Sequence, residues 1–166
     1  MNNLLTINNT ECIVFDTNSI LNEIKNERIT YSTGSCDRSI DKLNDACLKN
    51  DPEKTTICFI INLGTMLNKV MDKDGFIELI NNCKKNGNIK MFIVDTIDSI
   101  KTLNFESWYK DSVDLAEGIW LGNGIANQFT LKVTTNSRLL RVEVQPGFGY
   151  IINKGKAELI KLMADE

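Results

Sequence analysis

Asp16, Asn62 and Asp95 each follow directly on a run of apolar residues, which is where chemistry is expected in an α/β protein. Ligands of open α/β sheets gather at the carboxyl ends of the strands, so Asp16 and Asp95 could lie together and share a Mg²⁺ ion. Aspartate at such a position also caps the helix or turn that follows, and asparagine satisfies loop backbone. From the residues alone, both interpretations stay open.

Two common catalytic machineries are missing from the chain. No segment reads G-x-x-x-x-G-K-[ST], the phosphate-binding loop whose backbone amides surround the phosphates of a nucleotide. Nucleotide hydrolases place an acidic residue after a buried strand to hold the Mg²⁺ shell, and the neutral Asn62 stands there instead. The chain also has no histidine, which excludes hydrolases of the triad type. We therefore expect no catalytic residue, no cofactor and no nucleotide hydrolysis by the chain alone.

The composition is that of one ordinary globular domain spanning residues 1–166, with 42% hydrophobic residues. A formal charge of −3 gives no electrostatic footprint for DNA or RNA, so no nucleic-acid partner is expected. The longest apolar run, Ile57–Ile61, is far short of the roughly 20 residues that a membrane-spanning helix needs. The N-terminus lacks a secretory signal, so we expect a location on the cytoplasmic side without direct membrane contact.

The five cysteines are odd in number, widely spaced and mostly within or beside apolar segments. Without histidine or a C-x-x-C pair, a structural zinc site is not expected, and no metal is predicted. Free, buried thiols that pack like small hydrophobic side chains are the expected state. These cysteines are Cys12, Cys36, Cys47, Cys58 and Cys83.

The order of the elements predicts an α/β fold. Apolar runs that end at Asp16, Asn62 and Asp95 alternate with stretches of helical periodicity, which indicates a three-layer, largely parallel sheet flanked by helices. From Gly118 onward, short apolar or alternating runs separated by turn residues predict an antiparallel, β-rich C-terminal extension. The strands predicted there are Ile119–Leu121, Phe129–Val133, Phe148–Ile152 and Ala157–Leu162, with a hairpin turn at Asn153-Lys-Gly155 between the last two.

Contact with other proteins is the second kind of role for which the sequence offers candidates. Trp108 and Trp120 are large amphipathic side chains of the type enriched in interface hot spots, although burial in a core is the commoner fate of tryptophan. Arg141, together with Lys132 and Arg138, could meet an acidic partner, or these residues could simply form a solvated face.

The tail resembles the end of an FtsK/SpoIIIE-type ATPase domain. The resemblance rests on Gly118-Ile-Trp-Leu-Gly122, on Asn127-Gln-Phe-Thr-Leu-Lys-Val133, and on the segment from Gln145-Pro-Gly147 to Leu162, with Arg141 in the arginine-containing stretch before it. It is good from about Gly118 to Leu162 and extends back to Cys12. Within this family, the chain is most similar to the last domain of the membrane-bound coupling ATPases of type VII secretion systems in Gram-positive bacteria.

The resemblance implies a RecA/FtsK-like fold in a degenerate form, since Asn62 occupies the Walker B position and the phosphate loop is absent. The resemblance also implies a role in binding exported proteins or in regulating the active ring, as for the terminal domains of such motors. The implied partners are secreted type VII substrate proteins and other ATPase domains of the same parent protein, which alone would use ATP and Mg²⁺. The implied location is the cytoplasmic face, as an excised part of a cell-membrane protein.

A rival hypothesis comes from the segment that contains Asp16. Ile13-Val-Phe-Asp-Thr-Asn-Ser-Ile-Leu21 resembles the opening of a PIN-type ribonuclease, in which converging acids hold Mg²⁺ for phosphodiester cleavage. This alternative uses Asp16 and Asp95, with Glu23, Asp45 and Asp98 as further candidates. The run of strands beyond Gly118 does not resemble that fold.

Overall fold

Two sheets organise the chain, one in each of the units into which it divides. The first unit, Met1–Leu103, contains a four-stranded parallel sheet, and the second, Asn104–Glu166, contains a three-stranded antiparallel sheet. The structure is a computed structural model that describes residues 9–21, 26–136 and 138–162. No helix in these ranges is long and apolar enough to cross a membrane.

The parallel sheet has the strand order β2-β1-β3-β4, and each neighbouring pair is parallel. The two interior strands, β1 and β3, are apolar on both faces because both faces are covered, as in other all-parallel sheets. Ile13, Val14 and Phe15 of β1 are fully buried. The strands are β1 (Thr10–Asp16), β2 (Ile29–Ser32), β3 (Thr55–Ile61) and β4 (Ile89–Val94).

Two long helices of the first unit pack against each other on one face of this sheet. Side chains alternate along a strand, so Ile13 and Phe15 share that face, and the Phe15 ring lies 5.8 Å from the ring of Phe76 on α3. The opposite face holds a second cluster that contains Val14 and Ile61. The helices of this unit are α1 (Asp37–Lys49), α2 (Leu63–Leu67), α3 (Lys73–Lys85) and α4 (Ile97–Leu103).

The second unit begins with helix α5 (Ser107–Ser112) and builds its sheet in the order β5-β6-β7. The strands are β5 (Gly118–Leu121), β6 (Phe148–Asn153) and β7 (Lys156–Lys161). Lys154 and Gly155 join β6 to β7 with positive φ angles of 49° and 78°, which suits a two-residue hairpin turn. One face of the sheet covers a core of Trp120, Ile125, Leu140, Tyr150 and Ile152.

The predicted fold class is confirmed: a parallel sheet with helices is followed by antiparallel strands, although these form a sheet of their own. One predicted strand is wrong. Residues 129–133 are not a strand, because the side-chain Oε1 of Gln128 accepts hydrogen bonds from the backbone N–H groups of Thr130 and Leu131 and turns the chain. Phe129 is consequently 94% exposed. Helices α4 and α5 were not predicted from the sequence.

Candidate functional site

The carboxyl ends of β1, β3 and β4 place Asp16, Asn62 and Asp95 along one edge of the parallel sheet. Asp16 is in register with Ile61, and Ile61 with Val94, so Asn62 lies between the two aspartates. Adjacent strands are about 4.8 Å apart, which separates the backbones of Asp16 and Asp95 by roughly 10 Å. The structure thus brings the three predicted residues to one edge but puts a strand between the two carboxylates.

Asp16 is fully buried, and its carboxylate holds the loop that follows β1. The backbone N–H of Ile20 donates to Oδ1 at 3.0 Å, and that of Leu21 donates to Oδ2 at 2.7 Å. The hydroxyl of Tyr31, at the end of the neighbouring strand β2, also donates to Oδ2 at 2.9 Å. These three donors engage both carboxylate oxygens, and the two backbone contacts fix the loop.

Asn62 is half-buried and begins helix α2 in the left-handed conformation, with φ 57° and ψ 60°. Asparagine tolerates this region better than most residues. Its backbone N–H donates to the carbonyl of Val94 at 2.9 Å, and its carbonyl accepts from the N–H of Met66 at 3.0 Å. The side chain makes no capping hydrogen bond. The residue therefore contributes backbone geometry at the junction between β3 and α2.

Asp95 joins the loop after β4 to its neighbours. One carboxylate oxygen accepts from the N–H of Thr96 at 2.8 Å, and the other accepts from the hydroxyl of Ser99 at 2.8 Å. The N–H of Gly64 in α2 approaches the second oxygen at 3.4 Å. Like Asp16, Asp95 therefore stabilises the segment that follows its strand by accepting hydrogen bonds from it.

Lys69 also contacts this edge of the sheet, and it was not predicted from the sequence. The chain order of the sheet reverses between β1 and β3, and ligands of open α/β sheets bind at such a crevice. Here Nζ of Lys69 reaches across from the segment after α2 and donates to the carbonyl of Thr17 at 3.3 Å and to Oδ1 of Asn18 at 3.2 Å. No sequence signal marks these contacts, because they join residues 51 and 52 positions apart.

The acids named for the nuclease hypothesis do not converge in the described ranges. Asp45 lies on α1 and pairs with Lys49 at 3.4 Å, and Asp98 lies on α4 and pairs with Lys101 at 3.2 Å. Glu23 lies outside the described residues. Within those residues, no group of three or more histidine, cysteine or acidic side chains could hold a metal ion.

At the opposite end of β1, Glu11 lines a cleft of about 730 Å³. Its carboxylate accepts from Lys54 at 2.8 Å, from Lys42 at 3.2 Å and from the hydroxyl of Thr56 at 3.0 Å. Burial alone would raise the pKa of Glu11, but the hydrogen bonds from Lys54, Lys42 and Thr56 outweigh burial and lower it. This cluster connects the start of β1 to α1 and β3.

The predicted partner contacts, Trp108, Trp120 and Arg141, have different surroundings in the second unit. Trp120 is only 7% exposed in the core, and its Nε1 donates to the carbonyl of Asn123 at 3.0 Å, so it is placed as a core residue rather than on a contact surface. Trp108 is half-buried on α5 and packs edge to face on Tyr109, with ring centroids 5.7 Å apart. Arg141 is exposed.

An apolar surface that was not predicted from the sequence lies on the antiparallel sheet of the second unit. We define the outer face as Ile119, Leu121, Ile151 and Ile160, which project away from the core because side chains alternate along a strand. Ile119 is in register with Ile151, and Leu121 and Ile160 both pair with Gly149. Ile119, Leu121 and Ile151 are 55%, 64% and 39% exposed. The signal available in the sequence was the alternation around Trp120.

Comparison with known proteins gives a match at the level of the fold. A structure described as the cytoplasmic domain of EssC has a TM-score of 0.67 and 16% identity, and the match covers 92% of this chain and 33% of that chain. EssC (ATPases 2 and 3) from Geobacillus thermodenitrificans has a TM-score of 0.70 and 16% identity, with 93% and 31% covered. This chain thus spans about a third of either structure and shares the fold of EssC ATPase domains. No protein-family model and no curated protein matches it.

Proposed function

We propose that this chain is a non-hydrolysing, ATPase-like domain of a type VII secretion motor that recognises secreted substrate proteins or regulates the motor. The proposal places it at the cytoplasmic face of the membrane, beside other ATPase domains of the same parent protein. The fold shared with EssC ATPase domains supports the assignment to such a motor.

The observation that carries the non-hydrolysing role is the chemistry at the end of β3. Asn62 stands where a motor of this fold would place an acid. Its left-handed backbone conformation and its two backbone hydrogen bonds give it a structural role that needs no catalytic side chain. A neutral amide is a weak ligand for the Mg²⁺ that accompanies ATP, since Mg²⁺ is normally bound by carboxylates and phosphates. The sequence also has no phosphate-binding loop. The edge therefore lacks both of the groups that hydrolysis requires.

The outer face of the antiparallel sheet supports a role in binding protein. Contiguous exposed apolar side chains on a soluble domain mark interaction surfaces, whereas apolar residues scattered singly do not. Ile119 and Ile151 are direct cross-strand neighbours, and a Cβ on Gly149 would lie 3.4 Å from Cδ2 of Leu121, so Leu121 covers the glycine. The proposed occupant of this face is a secreted type VII substrate, which would cover it with an apolar side of its own.

Isothermal titration calorimetry with the C-terminal signal segments of several cognate type VII substrates tests this proposal. We expect saturable binding that weakens at least about tenfold when Ile119 and Leu121 are both replaced by serine, since two buried aliphatic side chains supply more than the ~1.4 kcal/mol that a tenfold change represents. The matched control is Leu159→Ser, which removes a side chain that is 58% exposed but lies on the other face of the sheet.

Two outcomes would redirect the assignment. If no cognate substrate binds while the chain associates with a neighbouring ATPase domain through the outer face, the regulatory half of the proposal becomes the better account. If single-stranded RNA is cleaved in the presence of Mg²⁺ or Mn²⁺, and the activity is lost in Asp16→Ala, the secretion assignment is wrong and the PIN-like ribonuclease hypothesis replaces it.

A further inference from the structure

Cys47 on α1 and Cys83 on α3 bring two thiols into direct contact. Their Sγ atoms are 3.0 Å apart, although the residues are 36 positions apart in the chain. This separation is only roughly 1 Å longer than the bond of a disulfide. The two helices pack on each other over the parallel sheet, so the contact belongs to the core between them.

The two thiols differ in their access to solvent. Cys47 is half-buried, while Cys83 is buried with 1% of its surface exposed. Burial, reinforced by the hydrogen bond with Cys47, raises the pKa of the Cys83 thiol. Because Cys47 is the more exposed of the two, a small solute in water reaches its sulfur first. The raised pKa keeps the buried Cys83 in the protonated thiol form.

We propose that Cys47 and Cys83 form an oxidation site, in which hydrogen peroxide converts the thiol pair to a disulfide that joins α1 to α3. In the first step, the Cys47 thiolate attacks one peroxide oxygen, the O–O bond breaks, and a sulfenic acid and hydroxide form. In the second step, Cys83 loses its proton and its sulfur attacks the Cys47 sulfur. The S–S bond forms, the S–O bond breaks, and the oxygen leaves as water. Two thiols lose two electrons and one peroxide becomes two waters.

The other three cysteines do not offer this chemistry. Cys12 and Cys58 are buried in the sheet, and burial raises the pKa of Cys12 to about 11. Cys36 lies in a different surrounding, with its sulfur near the hydroxyl of Thr17 and the carbonyl of Ser32. Among the described residues, which include all five cysteines, Cys47 and Cys83 are the pair with a sulfur–sulfur contact.

The disulfide would fasten together the two helices that cover one face of the sheet. The chain between the cysteines contains β3, α2 and Asn62, so the bond would close a covalent loop that includes the strand carrying Asn62 at its end. Closing such a loop restricts the unfolded chain more than the folded one. Oxidation is therefore expected to raise the melting temperature.

Peptide mapping of the full chain tests the site. The reduced protein is treated with hydrogen peroxide, remaining thiols are alkylated, and the digest is analysed by mass spectrometry without reduction. We expect one dominant cross-linked product that joins the peptides of Cys47 and Cys83 in the folded protein, and a mixture of cysteine pairings in urea, since only the fold holds these two sulfurs together. The melting temperature of the oxidised protein should be higher than that of the reduced protein.

Single substitutions test the role of each cysteine, whereas the peptide mapping of the unsubstituted chain tests the disulfide itself. Cys47→Ser should abolish the cross-link, and the control Cys36→Ser should leave it unchanged. If Cys83→Ser fails to fold, the mapping of the unsubstituted chain still decides the matter. A dominant disulfide between other cysteines, the same mixture of pairings in the folded protein as in urea, or Cys47 accumulating as sulfinic acid with Cys83 still free would each overturn the proposal.

Discussion

The hydroxyl of Tyr31 lies 2.9 Å from Oδ2 of Asp16, at the point where the neighbouring strands β1 and β2 both end. The same hydroxyl lies 3.0 Å from the carbonyl oxygen of Leu21, in the loop that Asp16 holds. The loop after β1 is thus fixed from two sides. A buried carboxylate with this set of donors is a structural element, and its removal has consequences for stability that can be measured.

Replacement of Asp16 by asparagine should destabilise the protein by about 2 to 3 kcal/mol. The amide nitrogen of asparagine would face groups that donate to Asp16, so at least one buried donor would lose its acceptor. Tyr31→Phe, the milder comparison, should cost about 1 kcal/mol. Urea unfolding measures both changes. A stability equal to that of the unsubstituted protein for Asp16→Asn would show that the carboxylate is not structural and would reopen a ligand role.

Substitution of Glu11 by glutamine should give a stability difference that depends on pH. The pKa of Glu11 in the folded protein lies below its ordinary value of 4.5, so its charge contributes stability above that value, and the contribution is lost as pH falls through the folded pKa. We expect a loss on the order of 1 kcal/mol at pH 7, modest because Lys42 and Lys54 are partly exposed and regain water.

The measurement for Glu11 is a series of urea titrations from about pH 7 down to roughly pH 3. The two proteins should converge in stability toward the acid end. A difference that stays constant over the whole range would mean that packing of the side chain, rather than its charge, accounts for the loss.

A methyl group on Gly149 should disturb the antiparallel sheet. A Cβ at this position would lie 2.6 Å from the backbone oxygen of Trp120 on β5, and backbone cannot move aside as a flexible side chain can. Gly149→Ala should therefore cost about 1 to 3 kcal/mol. Gly118→Ala is the matched control, because its Cβ would make ordinary contacts of 3.5 Å with Leu131. Thermal unfolding of the two variants should separate them clearly, and equal melting temperatures would refute the close approach.

Addition of ATP with Mg²⁺ should leave the melting temperature unchanged. A ligand that binds only the folded state must raise it, by an amount that grows with the ratio of ligand concentration to Kd. We expect no shift at a concentration of about 5 mM, and none in Asn62→Asp either, since the phosphate-binding loop would still be missing. Differential scanning fluorimetry suffices for this test. A clear upward shift in the unsubstituted protein would show that nucleotide binds and would contradict the expectation that the chain has no nucleotide cofactor.

The elements with strong local signals could be predicted from the sequence. The runs that become β1 and β3 are apolar in consecutive residues, as is typical of strands covered on both faces, and the run that becomes β4 is apolar apart from Lys90 although alternate residues of this edge strand are exposed. Their ends at Asp16, Asn62 and Asp95 mark the site edge. The hairpin at Lys154 and Gly155 was likewise readable from its turn residues. In each case, the determining interaction lies within a few residues of the pattern that signals it.

The remaining features depend on partners that are distant in sequence or on one side chain. Residues 129–133 have the composition of a strand, but Gln128 turns the backbone before a ladder can form. Tyr31 reaches Asp16 only because β2 pairs with β1, and Lys69 meets Thr17 only because the fold brings the segment after α2 to the loop after β1. No periodicity in the sequence marks such contacts, which is also why Cys47 and Cys83 gave no sign of their proximity.

The pairing pattern of the two sheets sets the order in which the chain can fold. The β6–β7 hairpin closes around Lys154 and Gly155, and hairpins of this kind form within about 1 to 10 μs. The parallel sheet instead joins residues such as Glu11 and Thr56, which are 45 positions apart, and long loops must be closed before any such contact forms. The hairpin is therefore expected to form before the edge that carries Asp16, Asn62 and Asp95, because that edge needs β1, β3 and β4 to pair across long stretches of chain.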